Sequence, residues 1–213
     1  MTKKIVDARR EEIINACEKL YEKENFKDIT IKQIGEKTSF SRTSIYNYFQ
    51  TKEEIFLALF QREYEEWIED LNKVYDENDK LSKEDFSSKL AHTVEKRPNL
   101  LKLLSMNLYD MEENSRIEAL VEFKQAYGNS IKAVKKCLDK FATNMDEKQK
   151  NEFIFSFFPL MYGIYPYAVV TDKQKEAMEK ADVPFEKLTI YDIAYKGILK
   201  LLSCWKRITI KRI

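Results

Sequence analysis

Apolar residues return every three or four positions along most of the chain, which is the pattern of amphipathic helices. Ile13, Ile14, Cys17, Leu20 and Tyr21 share one face of a helix expected over residues 6–24. After a break at Asn25, Phe26 and Lys27, a short helix is expected over 31–37. Thr30 with Gln33 three residues on forms the capping-box pattern that opens it. Thr38, Ser39 and Phe40 break the pattern again, and Ser41 is placed to cap a second short helix over 41–49. A further capping box, Thr51 with Glu54, opens a long helix over 52–75. Three helix starts crowded into about twenty residues predict a helix-turn-helix followed by a connecting helix.

The remainder keeps the helical period. Phe86, Leu90 and Val94 mark one helix, and Pro98 suits the first turn of the next, which carries Leu100, Leu101, Leu104 and Leu108. A long stripe runs from Ile117 through Leu120, Val121, Tyr127, Ile131, Val134 and Leu138 to Phe141, only mildly interrupted by Gly128. Residues 153–170 carry no charge and approach the length of a membrane span. Ser156, Pro159, Gly163, Pro166 and several tyrosines argue instead for a kinked helix buried within the protein. A polar connector over 171–184 then leads to a last helix over 185–205. The expected fold class is all-α, with about nine helices.

Composition narrows the function. Hydrophobic residues at 44% and charged residues at 34% fit a folded globular chain. Net charge is +1 overall, but residues 1–52 hold 11 Lys/Arg against 8 Asp/Glu, so the N-terminal end is the basic one. The single histidine, His92, has neither a second histidine nor a cysteine pair with which to hold zinc. Four glycines are too few for a phosphate loop or a dinucleotide fingerprint. The carboxylates follow charged helix faces. No enzyme, cofactor or metal site is therefore expected. Cys17, Cys137 and Cys204 are far apart and lie among apolar residues, so they read as buried thiols in a reducing cytoplasm. The N-terminal residues show no apolar signal core.

Candidate chemistry concentrates in residues 30–60. Ile31, Ile34, Phe40, Ile45, Phe49, Phe56 and Leu59 supply the inward positions. Arg42, Thr43, Ser44, Tyr46, Asn47 and Tyr48 are left for the outer face of the second short helix. Arg and Asn can pair with base edges in a major groove, and a Thr methyl can touch thymine. Thr30, Ser41 and Lys52 lie at helix N-termini, where free N–H groups and the helix dipole favour phosphate. Tyr46 and Tyr48 can donate hydroxyls to phosphate oxygens. The expected DNA-binding residues are thus Thr30, Ser41, Arg42, Thr43, Tyr46, Asn47, Tyr48 and Lys52, and the partner is a double-stranded DNA operator.

This segment resembles the TetR family of transcriptional regulators. Thr30, Ile34, Ser41, Ile45, Tyr46, Tyr48, Phe49, Lys52 and Glu53 fall on that family's pattern in register over about residues 6–60. Gly35 stands where Ala is usual, Ser39 replaces the turn glycine, Phe40 replaces valine and Thr43 replaces a glycine close to DNA. Ser39 is therefore expected to adopt an uncommon backbone angle. The resemblance implies a helix-turn-helix DNA-binding domain over 1–52 and a helical effector-binding and dimerisation domain over 53–213. It implies a cytoplasmic homodimeric repressor, on the nucleoid when DNA-bound, that grips a palindromic operator and is released by a small, largely apolar effector. Trp67, Met106, Tyr127, Phe157 and Tyr162 are the candidates for lining the effector pocket, although aromatics at helical spacing more often make a core. The apolar helices over 153–170 and 185–205 look like the family's dimer interface. A DNA-binding architectural or interaction protein of the same fold, without a ligand, remains the alternative. The basic tail Lys206, Arg207, Lys211 and Arg212 reads as a solvated end.

Overall fold

Helix α1 (Lys3–Tyr21) forms because its apolar residues line one side: Ile13, Ile14 and Cys17 are buried, while Glu11, Asn15 and Lys19 between them face solvent. In this computed structural model, residues 3–106 and 108–203 are described, apart from the side chains of residues 3 and 106. Eleven helices are found among them and no strand. The Cys204 and Trp205 expectations, the basic tail and the Met106 pocket assignment lie outside the described residues.

The chain forms two compact units. The first is Met1–Glu65 with Met106–Gly128, and the second is Glu66–Ser105 with Asn129–Ile213. The helix-turn-helix expected within residues 1–52 falls inside the first. That unit holds α1, α2 (Ile31–Gly35), α3 (Arg42–Ile45), the first half of α4 (Lys52–Asp76), α7 (Leu108–Glu113) and the first half of α8 (Ile117–Phe141). Its core joins Ile13, Ile14, Cys17, Phe26, Ile34, Ile45 and Phe49 to Phe56 of α4. Phe56 meets Tyr21 and Phe26 edge-on, with ring centroids 5.2 and 4.7 Å away. Each such buried ring contributes about 1.5–3 kcal/mol.

The second unit contains the rest of α4, α5 (Lys83–Glu95), α6 (Pro98–Met106), the rest of α8, α9 (Glu147–Ala168), α10 (Asp172–Lys180) and α11 (Ile190–Ser203). Pro98 occupies the first turn of α6 as expected. Trp67 is fully buried and donates its indole N–H to Thr93 Oγ1 at 2.9 Å. Arg97 donates to Asp70 Oδ2 and to Glu66, tying the α5–α6 corner to α4. Cys17 and Cys137 are buried, as expected, and burial pushes both thiols up, Cys137 to about 11.

The C-terminal third departs from the expectations. Helix α9 starts at Glu147, not near 153, because Asp146 and Gln149 form a reciprocal capping box. It is also not buried all round. Phe153, Ile154, Phe157, Phe158, Met161 and Ile164 are buried, whereas Phe155, Pro159, Tyr162, Pro166 and Tyr167 are exposed. The expected polar connector contains a further helix, α10, opened by a Thr171–Gln174 capping box. It ends at Lys180, and two residues further on Asp182 takes a left-handed φ of 51° while Val183 N–H reaches back to the Met178 carbonyl. Helix α11 consequently begins at Ile190, not at 185. Among the described residues no single helix is long and apolar enough to cross a membrane; α9 and α10 pass by composition only as a pair bent by 82°.

Candidate nucleic-acid interface

The Thr30 hydroxyl accepts from Gln33 N–H at 3.3 Å, and Gln33 Oε1 accepts from Thr30 N–H at 2.9 Å, so the expected capping box is complete and starts α2 where the sequence places it. From α2 the chain turns through Thr38–Ser41 into α3. Ser39 does not adopt a left-handed angle; among the described residues Asp182 is the non-glycine residue that does. The turn is held from outside instead. Glu12 of α1 accepts hydrogen bonds from Ser39 N–H and, at 3.0 Å, from Ser39 Oγ. One helical turn earlier, the Arg9 guanidinium lies 5.4 Å from the centre of the Phe40 ring. Ser39 and Phe40, the two turn residues that depart from the family pattern, are thus the two gripped by α1. An Arg and a Glu three residues apart on α1 were visible in the sequence, but nothing local says what they hold.

Helix α3 is shorter than expected. Its regular part is Arg42–Ile45, and the chain continues through Phe49 in tighter turns, with Asn47 N–H on the Ser44 carbonyl and Tyr48 N–H on the Ile45 carbonyl. Ser41 occupies the N-cap position, but its side chain makes no capping bond; its hydroxyl lies 3.0 Å from that of Ser44. Ile45 is fully buried and fixes which way α3 faces. That leaves Ser41, Arg42, Thr43 and Asn47 exposed, with Tyr46 46% exposed. Ser44 and Tyr48 are half-buried, and the Tyr48 ring lies 6.4 Å from that of Phe40. Gly35 lets α3 approach α2 closely: a Cβ there would lie 3.3 Å from Arg42 Cα and from Ile45 Cδ1.

Of the remaining candidates, Thr30 is exposed at the start of α2, and Lys52 is half-buried at the start of α4. Lys52 Nζ donates to the Phe26 carbonyl at 2.8 Å and lies 4.2 Å from the centre of that ring. Thr51 makes only half the expected capping box: its hydroxyl accepts from Glu54 N–H at 3.2 Å, while the Glu54 carboxylate turns elsewhere. Glu54 is 1% exposed and accepts from Gln50 N–H at 2.8 Å and from Arg116 Nε and Nη2 at 2.6 and 2.9 Å. Burial alone would raise its pKa, but these hydrogen bonds outweigh it and hold the carboxyl below its ordinary range. Thr51 Oγ1 also donates to the Asn114 carbonyl at 3.0 Å, so the α7–α8 corner fastens the beginning of α4 at two points. No local pattern signals this clamp, because Glu54 and Arg116 are 62 residues apart.

Within the second unit the pocket candidates Trp67 and Phe157 come together and Tyr162 does not. Trp67 and Phe157 are fully buried and pack with ring centroids 6.3 Å apart. Tyr162 lies on the opposite, exposed side of α9. Tyr127 belongs to the first unit, where its ring packs edge-on against Tyr64 at 5.7 Å.

A buried-backed short helix with an exposed Arg, Thr, Tyr and Asn face, set behind a capped partner helix, defines a helix-turn-helix DNA-binding regulator. Residues 13–59 match the family model described as bacterial regulatory proteins, tetR family, and residues 61–195 match the tetracyclin repressor-like C-terminal domain. The chain belongs to the tetR family. A 73-residue stretch is 32% identical to an uncharacterized HTH-type transcriptional regulator, YfiR, of Bacillus subtilis; this stretch spans 34% of the chain and 36% of that relative. Among solved structures, a TetR/AcrR-family regulator from Thermobifida fusca is similar with a TM-score of 0.62 at 14% identity, over 94% of this chain and all of that one. The fatty acid degradation regulator FadR from Bacillus halodurans is similar at 0.61 and 13%, over 93% of this chain and 97% of that one. FadR from Bacillus subtilis, solved in complex with stearoyl-CoA, is similar at 0.57 and 14%, over 90% and 97%. At these identities the likeness is one of fold.

Proposed function

We propose that this regulator is a cytoplasmic homodimeric repressor that binds an inverted-repeat operator and is released by a small apolar effector. The observation that carries the DNA-reading part is the exposed face of α3, with Ile45 anchoring its back. Arg42, Thr43 and Asn47 read base edges, and Tyr46 and Tyr48 donate to phosphates. Thr30 and Ser41 present helix starts to the backbone. Lys52 spends one ammonium proton on the Phe26 carbonyl and keeps two for a phosphate oxygen. Dimerisation through α9 and α11 is supported by the exposed residues of α9 beyond position 153, none of which is charged. Two heads related by a two-fold axis then meet half-sites about 34–36 Å apart.

The effector is proposed to act in the second unit beside Trp67 and Phe157. Both are fully buried, so entry must displace core contacts, and such a ligand prefers a conformation other than the one described. Selection from a random DNA pool, followed by footprinting, tests the reading. The expected product is a two-fold symmetric motif bound by one dimer, and Asn47→Ala should change the preferred base at one position in each half-site. Recovery of no sequence preference by the intact protein would refute it. Failure of every tested apolar compound to lower operator affinity would leave a DNA-binding protein that works without a ligand.

A further inference from the structure

A DNA backbone attracts positive charge, yet the turn ahead of α3 is held by a carboxylate. Both oxygens of Glu12 go to Ser39: one accepts from its N–H, and the other accepts from its Oγ at 3.0 Å. Glu12 forms no ion pair among the described residues, so no Lys or Arg neutralises it. Ser39 is exposed, and so are Ser41, Arg42 and Thr43 just beyond it. The step from Ser39 to Ser41 spans at most about 7 Å. A phosphate docked at the start of α3 thus lies on the order of a Debye length from the carboxylate, ~10 Å at 0.1 M salt. Glu12 repels that phosphate whatever the DNA sequence. What it contributes instead is orientation.

The regular part of α3 is only four residues, far below the length at which a helix holds its own shape. Its direction is set by what grips it. Ile45 is buried at its back, and Thr38 closes the turn from within, its hydroxyl donating to the Gly35 carbonyl at 2.9 Å. The Ser39 N–H and hydroxyl reach out to α1. That helix is itself fastened to α4, because Arg62 donates to Asn15 at 2.5 Å and to Glu18 at 2.7 Å. Ile13 and Ile14, next to Glu12, are buried. A turn tied to this fixed point keeps α3 from pivoting about Ile45. Hydrogen bonds to base edges survive over only ~0.5 Å of donor–acceptor distance, so a small pivot is enough to lose them. Phosphate contacts carry no sequence information and are not lost in the same way. We propose that Glu12 is a positioning residue that sets operator selectivity: its hold on Ser39 fixes the angle of α3, while its charge weakens binding to DNA of any sequence. A glycine in place of Ser39 would supply only one of the two bonds. This rests on the reading of α3 as the DNA-reading helix and adds what aims it.

The test titrates full-length protein with the two-fold symmetric duplex that the wild type selects from a random pool, and with a random-sequence duplex of the same length. The ratio of the two affinities is the readout, because any loss of folded protein cancels from it. Glu12→Ala should lower the ratio by about ten-fold or more, as expected for the loss of a base contact, while binding to random sequence stays level or tightens. Glu12→Gln removes the charge and keeps the shape: its amide oxygen can accept from Ser39 N–H and its amide N–H can donate to Ser39 Oγ. It should leave the ratio unchanged and bind both duplexes up to about two-fold more tightly. Ser39→Ala, which keeps only the N–H bond, should fall between wild type and Glu12→Ala. An unchanged ratio in Glu12→Ala would overturn the proposal, since Glu12 would then be a stabilising contact and no more. An equal fall in Glu12→Gln would also overturn it, by showing that charge and not the hold decides. A wild type that selects no motif would remove the DNA-reading role of α3, and this proposal with it.

Discussion

Glu54 and Arg116 show how one buried carboxylate fixes the helix that follows the helix-turn-helix. Glu54 is almost wholly buried, and its charge is matched by a two-pronged guanidinium and by the backbone N–H groups of Gln50 and Arg116. Removing the guanidinium leaves a buried carboxylate without its counter-charge, which costs more than removing both partners. Arg116→Ala should lower unfolding stability by roughly 2–3 kcal/mol, below the figure for a fully enclosed pair because solvent reaches Arg116. The double change Glu54→Gln with Arg116→Ala should cost less than Arg116→Ala alone, as urea melts would reveal. The folded carboxyl titrates below its ordinary value of 4.5, so its contribution is present above that pH and fades as pH falls through the lower folded value. Acid denaturation of Glu54→Gln should accordingly be shallower than that of the wild type below pH 4.5; identical slopes would show that Glu54 is not held ionised.

At the level of elements, α9 meets two demands. One side packs Phe153, Phe157, Met161 and Ile164 into the second unit, and the other presents aromatics and prolines outward. Its packing on α11 depends on Gly197, where a Cβ would lie 2.5 Å from Leu160 Cδ2. Ala has the higher helix propensity, worth about 1 kcal/mol over Gly. Displacing Leu160 works against that gain, since overpacking costs about 1–3 kcal/mol. Leu160 Cδ2 is the tip of a half-exposed side chain, so Gly197→Ala should raise the melting temperature less than Gly128→Ala, where a Cβ would meet nothing within 4 Å. Differential scanning calorimetry of the two variants separates space from propensity; an equal rise in both would mean that Leu160 yields freely.

For the whole molecule, the net charge of +1 means that attraction to DNA must come from local placement rather than from a polycationic body. Only a few phosphate contacts are expected per head, so operator affinity should fall with salt by a modest slope. Lys52→Ala should reduce that slope by about one charge for each head engaged while leaving the preferred sequence intact. An unchanged slope would confine Lys52 to its contact with Phe26.

The helical period and the side-chain caps were legible in the chain itself, because both are settled by neighbours three or four residues apart. Thr30 with Gln33, Pro98 in the first turn of α6 and the start of α4 at Lys52 are of this kind. So was the outward set of α3, since burying Ile45 turns Arg42, Thr43 and Asn47 away from the core. Tertiary structure alone decided the rest. Glu12 on Ser39, Arg116 on Glu54 and the division of α9 into a packed side and a bare one depend on groups brought together across tens of residues. A charged residue on a helix face looks the same in sequence whether it faces water or a distant backbone N–H, and an uncharged helix looks the same whether one side or both are covered. Proximity, not local preference, makes those choices.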